Sequence, residues 1–282
     1  MGQNYHSLVL LNDGTVKGFG SNYYGQLGLG NNTDSTTPTL IPSLSNVKQI
    51  SCGVNYTLVL LNDGTVKGFG HNAYGQLGLG NTTTTISTPT LIPSLSNVKQ
   101  IACGGYYSLV LLNDGTVKGF GLNSNGQLGL GNVDTPKSTP VLIPSLTNVK
   151  QISCGNNFSL ALLNDGTVKA FGYNVQGELG LGNVTSPYMS PTLISSLTNV
   201  NQIVCGNNFS LALLNDGTVK GFGQNSNGQL GLGNVDTPKS TPVLIPSLSN
   251  IVLLWDNIVL LVILRKRFVM FVTDTKSAYG IK

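Results

Sequence analysis

Charged residues make up only 9% of this 282-residue chain, and several chemistry-bearing types are almost missing. There is one glutamate, Glu178, and there are two histidines, His6 and His71, in different parts of the chain. Both arginines, Arg265 and Arg267, lie near the end. Acid–base catalysis wants a pair of titratable groups in unlike surroundings, and no such pair stands out here, so the expectation is no enzyme and no catalytic residue. A nucleic-acid surface needs lysine and arginine clustered on one face. Up to Asn250 the chain carries ten lysines against nine acids, which offers no such footprint.

Long apolar runs are also lacking. A membrane helix needs about 20 consecutive apolar residues. The apolar stretch Ile258–Leu264 is too short and is bounded by Asp256, Asn257 and Arg265-Lys266-Arg267. The opening residues, Met1–Leu10, have no basic segment followed by a long apolar one, so no secretory signal is read there. These absences point to a cytoplasmic protein without a membrane partner. No window keeps a 3.6-residue apolar period, which argues against helices.

What the chain has in plenty is glycine, 36 residues, distributed in a repeat. Asn-Asp-Gly-Thr-Val-Lys recurs with its first residue at Asn12, Asn62, Asn113, Asn164 and Asn215. A period of 50 or 51 residues marks stacked or radially arranged units. The units run at about 1–46, 47–97, 98–148, 149–199 and 200–250, with a divergent tail over 251–282. The second unit stands for all. Val47–Gly53 and Tyr56–Leu61 are short β-rich runs, and Asn62-Asp63-Gly64 is a hairpin turn in which Asp and Gly tolerate positive φ. Thr65–Gly70 alternates, and Pro89–Pro93 suits an edge strand because proline cannot donate to a ladder. Four strands in about 50 residues make a propeller blade. The fold expected is therefore an all-β propeller of about five four-stranded blades, or an incomplete ring of a larger one.

Cys52, Cys103, Cys154 and Cys205 are one repeat position rather than a metal cluster or disulfide framework. They read as small packed groups. No metal site and no cofactor-binding motif is found: Gly-x-x-Gly-x-Gly runs such as Gly25–Gly30 open no helix and lack the lysine that phosphate loops carry. Asp13, Asp63, Asp114, Asp165 and Asp216 each belong to a hairpin turn, where aspartate serves the backbone.

The composite pattern Cys-Gly-x-x-aromatic-Ser/Thr-Leu-x-Leu, Asn-Asp-Gly-Thr-Val, Phe-Gly and Gly-Gln-Leu-Gly-Leu-Gly resembles the regulator-of-chromosome-condensation repeat family. Phe19, Phe69, Phe120, Phe171 and Phe222 stand where that family often has tryptophan. The resemblance implies a propeller that recognises macromolecular partners, so a non-enzymatic protein-interaction scaffold is expected. A guanine-nucleotide exchange factor for a small GTPase is one alternative, although the constant spacing leaves no room for an inserted wedge. A glycan-binding propeller is the other, favoured if turn tyrosines and asparagines converge.

Comparing the units with one another locates the candidate site. The strands barely change, while the turn after the third strand reads Ser-Asn-Tyr-Tyr, His-Asn-Ala-Tyr, Leu-Asn-Ser-Asn, Tyr-Asn-Val-Gln and Gln-Asn-Ser-Asn. Equivalent turns ring one face of a propeller, so Tyr23, Tyr24, His71, Tyr74, Asn125, Tyr173, Gln176, Gln224 and Asn227 are candidates for binding a protein partner. Drift at exposed turns is the competing explanation. A second variable set occupies the loops Asn31–Thr37, Asn81–Thr88, Asn132–Thr139, Asn183–Ser190 and Asn234–Thr241. In the tail, Ile251–Leu254 is in register to supply the strand that the first unit lacks. The remainder reads as a docked segment or a degenerate remnant of a sixth repeat.

Overall fold

The computed structural model describes residues 5–251 apart from Asp236 and Ser247, together with the backbone of 259–264 and 267–272. All of its described elements are strands. The first sheet has three strands, β1 (His6–Leu10), β2 (Val16–Gly20) and β3 (Ser35–Leu40). Four four-stranded antiparallel sheets follow: β4 (Val47–Cys52), β5 (Tyr56–Leu61), β6 (Val66–His71) and β7 (Thr85–Leu91), then β8 (Val98–Cys103), β9 (Tyr107–Leu112), β10 (Val117–Gly121) and β11 (Lys137–Leu142). The fourth is β12 (Val149–Cys154), β13 (Phe158–Leu163), β14 (Val168–Gly172) and β15 (Tyr188–Leu193), and the fifth β16 (Val200–Cys205), β17 (Phe209–Leu214), β18 (Val219–Gly223) and β19 (Lys239–Leu244). This is the all-β, blade-by-blade architecture that the repeat implies, and its blades form an open arc.

Each blade is a meander whose first strand lies against the first strand of the next blade, so β4, β8, β12 and β16 form the inner row. Glutamines rivet that row. Gln49 Nε2 donates to the Ile101 carbonyl at 2.9 Å, and Ile101 N–H donates back to Gln49 Oε1 at 3.0 Å. Gln100 and Gln151 repeat the pair onto Ile152 and Ile203.

The hydrophobic core sits in the seams between blades rather than within any one sheet. Leu109, Leu111 and Val117 of the third blade pack with Ile152, Ala161 and Phe171 of the fourth. A sheet sandwiched on both faces has no solvent side, so the alternation of Thr65–Gly70 does not sort inside from outside: Val66, Gly68, Phe69 and Gly70 are all buried. Each fully buried phenylalanine side chain stabilises its seam by about 2–3 kcal/mol, and Phe69, Phe120, Phe171 and Phe222 all qualify.

The turn aspartates do what turns require. Asp63 Oδ1 accepts from Thr65 N–H at 2.9 Å and Thr65 Oγ1 at 2.7 Å, Gly64 takes a φ of 81°, and all five turns repeat the aspartate–threonine bonds. No disulfide joins the cysteines, of which Cys103, Cys154 and Cys205 are buried, and burial pushes the Cys52 thiol up to about 12 and Cys103 to about 11.

The edge strand of the second blade begins at Thr85, before the proline that the sequence pattern used as its start. Ile251 is buried, and its N–H donates to the Gly217 carbonyl, as Val47 does to Gly14 in the first unit. Residues 252–254, read above as a closing strand, lie outside the described residues. In the tail, β20 (Val259–Leu264) and β21 (Arg267–Val272) pair antiparallel, with Leu264 opposite Arg267.

Candidate functional site

The variable turn is held by invariant polar residues buried beneath it. In the second blade Asn72 is fully buried. Its Nδ2 donates to the Asn81 carbonyl at 3.1 Å, and its Oδ1 accepts from Leu77 N–H at 3.0 Å. Gln76 Oε1 accepts from Tyr74 N–H at 3.0 Å. Asn22, Asn123, Asn174 and Asn225 repeat the first arrangement, and Gln26, Gln127 and Gln229 the second. These amides hold the backbone of the turn, although Gln127 Nε2 has no hydrogen-bond partner among the described residues, so the first, third and fourth residues of each turn are free to differ.

In the first two blades these positions, joined by Tyr106 of the third, build one aromatic run. The Tyr23 and Tyr24 rings meet edge to face at 4.9 Å, and Tyr24 meets His71 at 4.8 Å. His71 then lies 5.9 Å from Tyr74 and 5.7 Å from Tyr106, which are 5.3 Å from each other. Such tilted and edge-on pairs are the favoured aromatic geometries. Tyr23 remains 70% exposed and Tyr74 38%, while Tyr24, His71 and Tyr106 are half-buried. His71 Nδ1 lies 2.7 Å from Gln76 Nε2, an amide donor, so the ring proton belongs on Nε2. Partial burial lowers the His71 pKa, which keeps the imidazole neutral. Burial, then the neighbouring Tyr74 and Tyr24, raises Tyr106. The run is therefore uncharged, with hydroxyl and imidazole donors on an apolar body.

Tyr106 was not among the expected residues. It lies in the turn between β8 and β9, where the units read Tyr5, Asn55, Tyr106, Asn157 and Asn208. That column varies as the chosen turns do and could have been picked from the same comparison.

The remaining candidates stay on separate turns. Asn125 N–H donates to Gln127 Oε1, Gln176 N–H to Glu178 Oε2 and Asn227 N–H to Gln229 Oε1. Gln224 Nε2 donates to Ser226 Oγ, and its Oε1 accepts from Asn208 Nδ2. Tyr173 makes no ring pair among the described residues. The tyrosines thus converge with a histidine rather than with asparagines.

Glu178 is the exception in the buried frame. It replaces the glutamine of the other units, is fully buried, and its Oε1 has no hydrogen-bond partner among the described residues. Burial raises its carboxyl from 4.5 to about 7. Among the described residues no cluster of histidine, cysteine and carboxylate side chains is arranged to hold a metal ion.

An open arc of seam-packed blades bearing a ring of variable turns defines a repeat β-propeller. The regulator of chromosome condensation (RCC1) repeat matches residues 13–60, 63–111, 114–162, 165–213 and 216–255, and the chain belongs to that family. It is 40% identical over 233 residues to the mouse probable E3 ubiquitin-protein ligase HERC4, covering 80% of this chain and 22% of that protein. It is 34% identical over 173 residues to fission-yeast protein pim1, covering 55% of this chain and 32% of the relative. The chain therefore spans between about a fifth and a third of these curated relatives. Human WBSCR16 superposes with a TM-score of 0.77 at 28% identity, over 86% of this chain and 65% of the other. Prp20p of Saccharomyces cerevisiae, whose structure was described with its binding to Gsp1p and histones, gives 0.76 at 24% identity, over 86% and 61%. At that identity the likeness speaks for the fold alone.

Proposed function

We propose that this protein is a non-enzymatic protein-interaction module that recognises its partner through Tyr23, Tyr24, His71, Tyr74 and Tyr106. The observation that carries the reading is the continuity of these rings across three blades. Tyrosine anchors dominate binding energy at interfaces because they bury much area at little entropic cost. The absence of charge from the run matches the core of an interface, from which charged residues are depleted. Free cysteines suit a reducing compartment, in keeping with a cytoplasmic setting.

The test is a quantitative capture experiment with three proteins: wild type, the triple variant Tyr23→Ala/Tyr24→Ala/Tyr74→Ala, and a control with Gln176→Ala, Gln224→Ala and Asn227→Ala. Partners held by wild type and control but lost by the aromatic variant support the reading. Identical capture by all three sinks it. The exchange-factor alternative rests on family likeness, and a nucleotide-release assay across small GTPases decides it. Robust release would replace the scaffold reading.

A further inference from the structure

We propose that the corner where His71, Tyr74 and Tyr106 meet seats an arginine side chain presented by the partner, which rests on the reading of the aromatic run as a partner-binding surface. The three ring centroids lie 5.3–5.9 Å apart, and the ring planes are inclined to one another by 57–64°. No two of these rings are stacked face to face, so their π faces are not all spent on one another, and each ring reaches solvent. A cation over such faces is attracted by the ring quadrupole. Guanidinium suits them better than ammonium because it is planar, weakly hydrated and stacks on aromatic faces. The corner is also built before a partner arrives. Gln76, fully buried, holds both ends of its turn: Nε2 pairs with His71 Nδ1 at 2.7 Å, and Oε1 accepts from Tyr74 N–H at 3.0 Å. His71 N–H donates to the Asn55 carbonyl at 2.8 Å, and the Tyr106 carbonyl accepts from Leu122 N–H at 2.9 Å. Rings held in place this way lose little freedom on binding.

The placement of charge makes the occupant a cation. The blades have two ends, one with the Asp-Gly hairpins and one where the third strands leave. The aromatic run lies at the second. Of the ten lysines up to Asn250, five stand near the start of third strands, as Lys67 does, and three near the start of first strands, as Lys48 does. All eight therefore belong to the hairpin end. Lys137 and Lys239 begin outer strands at the end that bears the run, opposite Gly121 and Gly223. Lys239 is in the fifth blade, and the Lys137 ammonium is held by Asp134 Oδ2 at 2.6 Å. The turn that carries Tyr23 and Tyr24 adds an anion, since Asp34 Oδ1 accepts from Asn22 N–H at 2.7 Å. Among the described residues of the first three blades, this end thus offers electron-rich ring faces and the Asp34 carboxylate, and its one lysine is already paired with Asp134. An arginine arriving there meets complementary charge and no competing cation.

Titration of the full chain with a glycine–serine peptide carrying a pair of arginines, followed through its aromatic NMR signals, tests this. The ring signals of His71, Tyr74 and Tyr106 should shift saturably, and a peptide with glutamates in place of the arginines should leave them unmoved. Tyr74→Leu, at an exposed position, should weaken binding about fivefold or more, whereas Tyr74→Phe keeps the π face and should stay within about twofold of wild type. Tyr106→Leu and Tyr106→Phe should give the same pair of answers from the third blade. Unchanged melting temperatures establish that the variants are folded. No saturable shift, affinity indifferent to both leucine variants, or equal losses in the leucine and phenylalanine variants would overturn the proposal. So would a lysine peptide that binds as tightly as the arginine one. Loss of captured partners by the triple tyrosine variant, with no response to the arginine peptide, would remove this inference and leave the partner-binding reading standing.

Discussion

The two halves of the arc share one buried frame and carry different surfaces. In the first two blades the turns after the third strand present tyrosine and histidine rings that touch one another and Tyr106 of the third blade. From the third blade on, the same turns carry Asn125, Tyr173, Gln176, Gln224 and Asn227, and no ring pair forms on them among the described residues. The seams differ in the same direction. Tyr56 and Tyr107 send hydroxyl groups onto the carbonyls of Tyr107 and Phe158 in the next blade, whereas Phe158 and Phe209 have no hydroxyl to send. The frame is thus independent of what it displays, which is the condition for a repeat to vary its surface without losing its fold.

The largest test asks whether the frame is truly common. Asn123→Ala strands Leu128 N–H and removes the donor to the Asn132 carbonyl and Asp134. Asn174→Ala does the equivalent to Leu179, Asn183 and Thr185. Each should cost about 3–4 kcal/mol, since stranding a buried donor adds to the lost bonds. Denaturant unfolding of both variants checks it. Unequal losses would break the claim of a shared frame.

Glu178 sharpens the comparison from the fourth blade. Its carboxyl is raised to about 7 when folded, against 4.5 unfolded. The folded state therefore holds a proton that the unfolded chain has released. The stability this group contributes is fully present below about pH 4.5, falls as pH rises towards 7 and stays low above that. Glu178→Gln should remove that slope and stabilise the protein at neutral pH by about 2–3 kcal/mol. Melting curves at acidic and neutral pH give the answer, and parallel curves for variant and wild type would show that Glu178 carries no such penalty.

The smallest effect concerns the seams. Tyr107→Phe removes one hydroxyl that donates to the Phe158 carbonyl and lies 3.0 Å from Ser159 Oγ. The seams after Phe158 and Phe209 are built without such a group, so the loss should be about 1 kcal/mol. A much larger loss would mean that the first half depends on its hydroxyl seam as the second does not.

Most of the fold was legible in the chain itself, because a repeat states its own boundaries and Asp-Gly turns state their own geometry. The first three strands of the second blade fall within one residue of the runs that predicted them. The start of the edge strand was not legible, since Thr85 and Ile86 carry no punctuation to mark it. The candidate site was half legible. Variation between units singled out a set of turns but could not say which side chains meet. Tyr106 went unnoticed because it belongs to another turn, 32 residues after Tyr74.

The sequence alone determined the repeat, the turns and the invariant asparagines and glutamines, because each acts within a few residues of itself. Only the tertiary structure decided that Tyr23, Tyr24, His71, Tyr74 and Tyr106 form one surface, since ring contacts depend on how successive blades rotate about the arc. Seam packing likewise joins residues about 50 positions apart, as Tyr56 and Tyr107 do, and takes shape only when the blades stand next to one another.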